Sequence, residues 1–329
     1  MISQQFSMET IEYLSHNLCM IHILCLNPTI DRMYYIDSFL PGFQYHGNKA
    51  EVYPGGKGLN ILRVLSSFIH PLSFYAFTAG DNGKIIEREA ERLGAQSTFI
   101  RVEGETRTTI NIMDKKSGNE TEIKEKGPFI KEEDTSSLFS SLDRNIKEND
   151  IVILSGSLPD GIRKDVYREI SELSERKGAS TLLDTGGGLL KSSLPGKYLL
   201  VKPNENEIRD LFDDYSSPLS LLSKNLLSMG VDNVLITKGG DGAYFRSKDR
   251  AYKIKVPKVD VVSTIGSGDS TLAGFAYGLS QNLPLSDTVS LALSFGTSNA
   301  LHREVGRVDK AEVEEIIKRI EIREKEYDL

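Results

Sequence analysis

Short apolar runs that do not alternate, spaced by stretches of helix length, limit what this chain can fold into more than any other feature. Ile151-Val152-Ile153-Leu154 and Tyr198-Leu199-Leu200-Val201 are apolar at every position, so a strand built from either must be covered on both faces. Such runs recur from residue 20 onward, at 21–26, 73–79, 151–154, 180–184, 198–202 and 233–237. Amphipathic stretches lie between them, among them 84–93, stopped by Gly94, and 165–177, stopped by Gly178. Glycine suits those stops because it accepts the left-handed conformation just past a helix end. The alternation predicts an α/β protein, a parallel sheet between two helix layers.

Two stretches break the rhythm, about 31–53 and 97–126. In Thr109-Ile110-Asn111-Ile112 apolar and polar residues alternate, Lys115 to Asn119 supply a turn, and Thr121 to Ile123 form a returning strand. That is the pattern of a half-exposed antiparallel sheet, which serves either as a lid over a site or as decoration of a sheet edge. Residues 1–19 fit neither scheme and read as a poorly ordered extension ahead of a single domain spanning 20–329.

Composition excludes several classes. With 40 Lys+Arg against 47 Asp+Glu among 329 residues the net charge is -7, which argues against a nucleic-acid binder. No apolar run reaches the roughly 18 residues of a membrane helix. The first Lys or Arg is Arg32, so a secretory leader is not expected and a cytoplasmic location is. Two cysteines, Cys19 and Cys25, and five histidines never at i, i+3 or i+4 spacing build no zinc site.

The chemistry concentrates in glycine turns. Val261 to Ile265 reads as a strand entering Gly266-Ser267-Gly268-Asp269, and a helix rich in small residues follows. Consecutive backbone N–H groups at such a helix start receive an anion such as phosphate. Asp269 is then either a cap or a carboxylate that takes a proton from an attacking hydroxyl. Gly55-Gly56-Lys57-Gly58-Leu59-Asn60 precedes a second helix but lacks the P-loop spacing, and no G-x-G-x-x-G occurs, so neither a P-loop NTPase nor a dinucleotide dehydrogenase is supported. Asn204 and Glu207, three apart at a helix start, either cap that helix or face a hydrated Mg2+. Ser155 to Pro159 and Thr237 to Gly242 sit where strands end, the place where open α/β sheets bind ligands.

In their order and spacing these motifs resemble the PfkB (ribokinase-like) carbohydrate kinase family from Met20 to about Val308. Asn27-Pro28-Thr29-Ile30-Asp31 resembles its N-P-x-x-D, Gly55 to Asn60 its G-G-K-G-x-N, Lys202-Pro203-Asn204-x-x-Glu207 its N-x-x-E motif, and Val262 to Gly274 its D-T-x-G-A-G-D signature. Gly104-Glu105-Thr106-Arg107 and Ser155 to Pro159 are similar to the hexose-phosphate branch, tagatose-6-phosphate kinase and 1-phosphofructokinase. Ser263 stands in place of the Asp of D-T, Ser267 in place of Ala, and Asn48-Lys49 where the branch carries Asn-Arg.

The resemblance implies a three-layer α/β/α ribokinase-like fold with a small antiparallel β-sheet lid. It implies ATP-dependent phosphorylation of tagatose 6-phosphate or fructose 1-phosphate to the 1,6-bisphosphate. Asp269 would be the catalytic base beside Gly266, Ser267 and Gly268. Asp31, Gly55, Gly56, Lys57, Asn60 and Arg107 would hold the sugar phosphate, with Lys57 and Arg107 on its phosphate. Lys202, Asn204, Glu207, Thr237, Gly239, Gly242 and Asn299 would hold ATP, with Mg2+ carried by phosphates and water near Asn204 and Glu207. A homodimer through the lid is implied, without nucleic acid or membrane partners. The rivals are a kinase of another sugar or a nucleoside, and a sensor that keeps the fold without catalysis.

Overall fold

A computed structural model describes residues 19–46 and 50–324. The expected extension, through residue 18, and Asn48-Lys49 lie outside the described residues. The chain runs through β1 (Ile21–Cys25), β2 (Thr29–Ile36), β3 (Glu51–Gly55), α1 (Lys57–Leu65), β4 (Leu72–Thr78), α2 (Gly80–Arg92), β5 (Gln96–Arg101), β6 (Thr108–Asp114) and β7 (Glu120–Lys124). It continues through α3 (Glu132–Asn145), β8 (Ile151–Ser155), α4 (Val166–Arg176), β9 (Ser180–Asp184), α5 (Gly187–Ser192), β10 (Tyr198–Val201), α6 (Glu205–Phe212), α7 (Leu219–Leu227) and β11 (Val231–Thr237). Last come β12 (Ala243–Ser247), β13 (Ala251–Lys255), α8 (Ser267–Ser280), α9 (Leu285–Ala300), α10 (Lys310–Ile317) and β14 (Glu321–Glu324).

Ten strands form the large sheet in the order β14-β13-β12-β11-β10-β9-β8-β1-β4-β5. From β11 to β5 every ladder is parallel; β12, β13 and β14 add an antiparallel flank. The unbroken apolar runs now have their reason. Along β1, Ile21, Ile23 and Cys25 enter the core under α1, α2, α8, α9 and α10, while Leu24 faces a second core under α3 to α7. Ile151 and Ile153 of β8 join the first core, Val152 and Leu154 the second. Each face of the sheet thus removes apolar surface from water against its own helix layer.

The small sheet, β3-β2-β6-β7, leaves the C-terminal end of the large one. The hairpin of β6 and β7 forms where expected, but the sheet is antiparallel only in its outer ladders: β2 pairs β6 in parallel, Ile30 opposite Thr108 through Ile36 opposite Asp114. The cause is topological. Strand β2 follows β1 and β6 follows β5, both strands of the parallel sheet, so both depart the same end in the same direction. Residues 97–101, expected in the small sheet, belong to β5 at the edge of the large one, where only one neighbour covers them. The expected strand before Gly266 does not form. Strand β13 stops at Lys255, Pro257 follows without an N–H to offer a ladder, and 256–266 crosses the sheet end as irregular chain tied by Val262 N–H to the Ala300 carbonyl (2.8 Å).

Candidate active site

The C-terminal ends of the central strands open into a cleft of about 1080 Å3, roofed on one side by the small sheet. Strand order reverses around β1 and β8, and such a crevice is where open α/β sheets accept ligands. The backbone of the first glycine motif is shaped by crowding. A side chain at Gly55 would run into the Asp31 carboxylate, and one at Gly58 would stand 2.8 Å from the Leu24 carbonyl. Gly56 adopts φ 109, a left-handed conformation open to glycine. Helix α1 can therefore start tight against the end of β1, presenting Lys57 and Asn60 to the cleft.

Asp184, at the end of β9, is the electrostatic hub. Its Oδ1 lies 3.1 Å from Lys57 Nζ and its Oδ2 lies 3.0 Å from Lys202 Nζ, with Asp184 and Lys202 almost fully buried. Burial alone would raise the Asp184 carboxyl, yet Lys202 and Lys57 hold it below the usual range. Asp269 shows the opposite balance. It sits on the first turn of α8, accepts a hydrogen bond from Asn60 Nδ2 at 2.8 Å, and is pushed up to about 6 by burial, against the pull of Lys57. Lys57 itself is raised, mainly by Asp184.

The start of α8 is open. Gly266, at φ 78, caps it without a side-chain bond, and the first intrahelical bond is Ser270 N–H to the Gly266 carbonyl (2.8 Å). The Gly268 and Asp269 amides precede that bond and have no intrahelical acceptor. Lys202 Nζ would stand 3.4 Å from any Cβ at Gly268. A glycine-floored turn, free amides and an ammonium group together suit a polyanion.

Across the cleft, Asp31 of β2 is pushed up to about 6 by burial, while Arg107 opposes the rise. The Arg107 guanidinium is oriented by donating from Nε and Nη2 to the Asn27 carbonyl (3.3 and 3.1 Å). Asn204 and Glu207 form the capping pair: Asn204 Oδ1 accepts the Glu207 N–H (2.9 Å) and Glu207 Oε2 accepts the Asn204 N–H (2.7 Å). Both also line the cleft, and Glu207 Oε1 faces Gly186.

Of the residues singled out from sequence, Asp31, Gly56, Lys57, Asn60, Arg107, Lys202, Asn204, Glu207, Thr237, Gly239, Gly242, Gly266, Ser267, Gly268 and Asp269 meet in this one cleft. Two do not reach its wall. Gly55 lies behind Asp31, clearing space for it. Asn299 is wholly buried behind the α8 turn, its Nδ2 donating to the Ile265 carbonyl (2.9 Å) and its Oδ1 accepting Gly306 N–H (2.9 Å), so it braces the turn and does not line the cleft. Asp184 was missed, although its place at the C-terminal end of an apolar run, just before Thr185-Gly186-Gly187-Gly188, was the available signal. Glu122 and Lys124 on β7, and the 256–261 loop, are also on the wall and unpredicted.

The sequence profile of the pfkB family carbohydrate kinases matches residues 20–309. The chain belongs to this kinase family. It is 33% identical over 310 residues to tagatose-6-phosphate kinase of Staphylococcus epidermidis, covering 92% of this chain and 99% of the relative. It is 31% identical over 290 residues to 1-phosphofructokinase of Bacillus subtilis, covering 87% and 94%. The kinase has the fold of Escherichia coli phosphofructokinase-2 in complex with potassium, with a TM-score of 0.85 at 20% identity over 92% of this chain and 99% of that one. Among the described residues, no helix of the kinase is long and apolar enough to cross a membrane, and no group of three His, Cys, Asp or Glu side chains is placed to hold a metal.

Proposed function

We propose that this chain transfers the γ-phosphoryl group of ATP to the free primary hydroxyl of a ketohexose phosphate, giving a ketohexose 1,6-bisphosphate. The observation that carries the reading is Asp269, a buried carboxylate held by Asn60 at the foot of an open helix N-terminus, in a cleft that Lys57, Arg107 and Lys202 also line. The names of the relatives, tagatose-6-phosphate kinase and 1-phosphofructokinase, support the same substrate class.

In this reading the sugar lies under the small sheet. Asp31 accepts from its hydroxyls, and Lys57 and Arg107 hold the phosphate it already carries; Arg suits such two-point contact. Asp269 takes the hydroxyl proton. A carboxyl raised to about 6 is mostly ionised at neutral pH yet more basic than an ordinary aspartate, as a general base requires. The Gly268 and Asp269 amides and Lys202 stabilise charge on the transferring group, where fixed donors act without reorganisation. The nucleoside extends over Thr237 to Gly242 and the 256–261 loop.

Asn204 and the unengaged Glu207 Oε1 suit a hydrated Mg2+, because a magnesium ion that keeps its waters needs oxygen groups nearby but no dedicated cage of carboxylates. Such an ion would neutralise phosphate charge.

A homodimer through the small sheet belongs to the same reading. Registry puts Asp31, Thr109 and Lys124 on its cleft face, so Val52, Arg32, Ile110 and Ile123 share the other. Val52 and Ile123, 45% and 51% exposed there, give apolar surface on either side of the exposed Arg32 that a second copy would cover.

The test is ADP release across tagatose 6-phosphate, fructose 1-phosphate, fructose 6-phosphate, free ketohexoses and nucleosides, with kcat/KM for each. One ketohexose phosphate should exceed every unphosphorylated acceptor by at least tenfold. A nucleoside or free sugar at the top would overturn the substrate class, and no turnover with any acceptor would favour a sensor.

A further inference from the structure

Asp269 is held by a line of hydrogen bonds that runs away from the cleft. Asn60 Nδ2 donates to its Oδ2 at 2.8 Å, and Asn60 Oδ1 in turn accepts from Arg63 Nη1 at 3.1 Å. Arg63 stands three residues further along α1, with its side chain 21% exposed. The direction of these bonds is forced. A guanidinium has only N–H groups to offer, so the Asn60 atom that meets Arg63 is the oxygen, and the amide nitrogen is left for Asp269. An amide turned the other way would set its oxygen against the carboxylate and its own N–H groups against the guanidinium.

Arg63 is itself fixed from three further elements. Nη1 also reaches the Val305 carbonyl in the turn after α9 (3.4 Å), while Nη2 donates to the Pro54 carbonyl of β3 (2.9 Å) and to Glu89 Oε1 of α2 (3.4 Å). The turn is shaped around its stem: Gly306 has φ 77, and a Cβ there would stand 3.1 Å from the Asn60 carbonyl oxygen and 3.4 Å from Arg63 Cβ and Cδ. Asn299 Oδ1 holds the Gly306 N–H, and Asn299 Nδ2 donates to the Ile265 carbonyl and to Ser267 Oγ (2.9 and 3.2 Å) at the start of α8. The bonds close a ring from Asp269 through Asn60, Arg63, the 305–306 turn and Asn299 back to α8. Pro54 pairs with Ile30, the neighbour of Asp31, so the ring is also tied to the small sheet.

We propose that Arg63 is a positioning residue for phosphoryl transfer, which fixes the Asn60 amide so that it donates to Asp269 and aims that carboxylate into the cleft. The role rests on the reading of Asp269 as the base. A base held at one angle reacts faster than one free to turn, and a donor to the ionised carboxylate lowers its proton affinity. The other charged groups that face Asp269 are Lys57 on α1, Asp184 at the end of β9 and Lys202 after β10, and the test leaves all three in place.

Arg63→Met keeps an apolar stem over Gly306 and removes every donor, while Glu89 retains Arg92 at 2.8 Å. In the ligand-free full chain, NMR of the carboxyl carbons in aspartate-labelled protein follows Asp269 through its titration, with Asp269→Asn identifying the signal. Arg63→Met should move the midpoint up by about one pH unit, a tenfold gain in proton affinity for a weakened charge-assisted bond. Turnover of the best ketohexose phosphate should fall about tenfold to a hundredfold in kcat, with KM for both substrates little changed. Asn60→Ala should move the midpoint the same way, and Arg63→Met added to it should move it no further, because the two act in series. Arg63→Lys keeps the charge beside Glu89 and guards against a folding defect; one ammonium cannot span the same acceptors, so it should show a smaller shift in the same direction. A midpoint unmoved in Arg63→Met would overturn the role. So would a shift as large in the Asn60→Ala background as in wild type, which a field effect of the lost charge would give. Wild type that turns over no acceptor would overturn the reading of Asp269 as base, whereas an unmoved midpoint in an active enzyme overturns Arg63 alone.

Discussion

Asp269→Asn should make this protein more stable while removing its activity, and both effects follow from one carboxylate. In the folded chain burial moves the Asp269 carboxyl from 3.8 to about 6. Each pKa unit is worth about 1.4 kcal/mol, so at neutral pH the ionised group costs the ligand-free fold about 3 kcal/mol relative to its protonated form. The sign can be worked through the titration. Below about pH 4 the carboxyl is protonated in both folded and unfolded chains and no cost exists. Between about 4 and 6 the folded chain holds a proton that the unfolded chain has released, so wild type loses stability as pH rises. Above 6 the loss is complete. Asparagine keeps the acceptor for Asn60 Nδ2 and carries no charge, so it avoids that loss. The ligand-free variant should melt roughly 5 °C above wild type at pH 8, with the gap closing toward pH 4. In ADP release it should lose at least ~100-fold in kcat. Equal melting temperatures at pH 8, a gap that ignores pH, or a variant that turns over near the wild-type rate would refute the reasoning.

Lys57→Ala and Arg107→Ala should each raise KM for the phosphorylated ketohexose by about tenfold to a hundredfold and change KM for a free ketose far less. Unchanged KM for every sugar phosphate would remove both cations from the substrate site. Glu207→Gln preserves an oxygen for the Asn204 N–H and so should leave the melting temperature within a degree, while raising the Mg2+ concentration that gives half-maximal rate; an unshifted Mg2+ titration would return Glu207 to capping alone. Ile123→Asp, on the face of the small sheet turned from the cleft, should give a monomer by light scattering, provided wild type is a dimer at the same concentration. A wild-type monomer at micromolar concentration would refute the arrangement.

What the sequence disclosed depended on how local each signal was. The six apolar runs placed the central strands within two residues, because a strand covered on both faces shows its burial in its own composition. The antiparallel flank was not seen: β12 and β13 are short and mix polar with apolar residues, and the edge strand β14, Glu321-Ile322-Arg323-Glu324, carries too little apolar pattern to declare a strand. Strand β5 was given to the wrong sheet because its half-exposed sequence resembles a lid strand and an edge strand equally. Lys57, Asn60 and Asp269 were legible through the family resemblance their glycine motifs carry; glycine spacing alone left Asp269 open between a cap and a base. Asp184 was not, since its importance arises from two lysines 127 residues before it and 18 after it meeting at the end of β9. Asn299 was placed off the cleft wall for the converse reason: polarity in a helix of small residues does not tell a buried brace from a group on a wall, and here its side chain bonds the backbone of Ile265 and Gly306.

The parallel join between β2 and β6 fixes an order of assembly. Parallel neighbours cannot zip from a tight turn, and here β4 and β5 are threaded between the two partners. The small sheet can register only after β1, β4 and β5 have docked and aimed both strands outward, so its central ladder is a late, long-range event in folding. During synthesis β2, which bears Asp31, leaves the ribosome well before β6 can pair with it, so the wall carrying Asp31 and Arg107 stays unmade until β4 and β5 have emerged and docked.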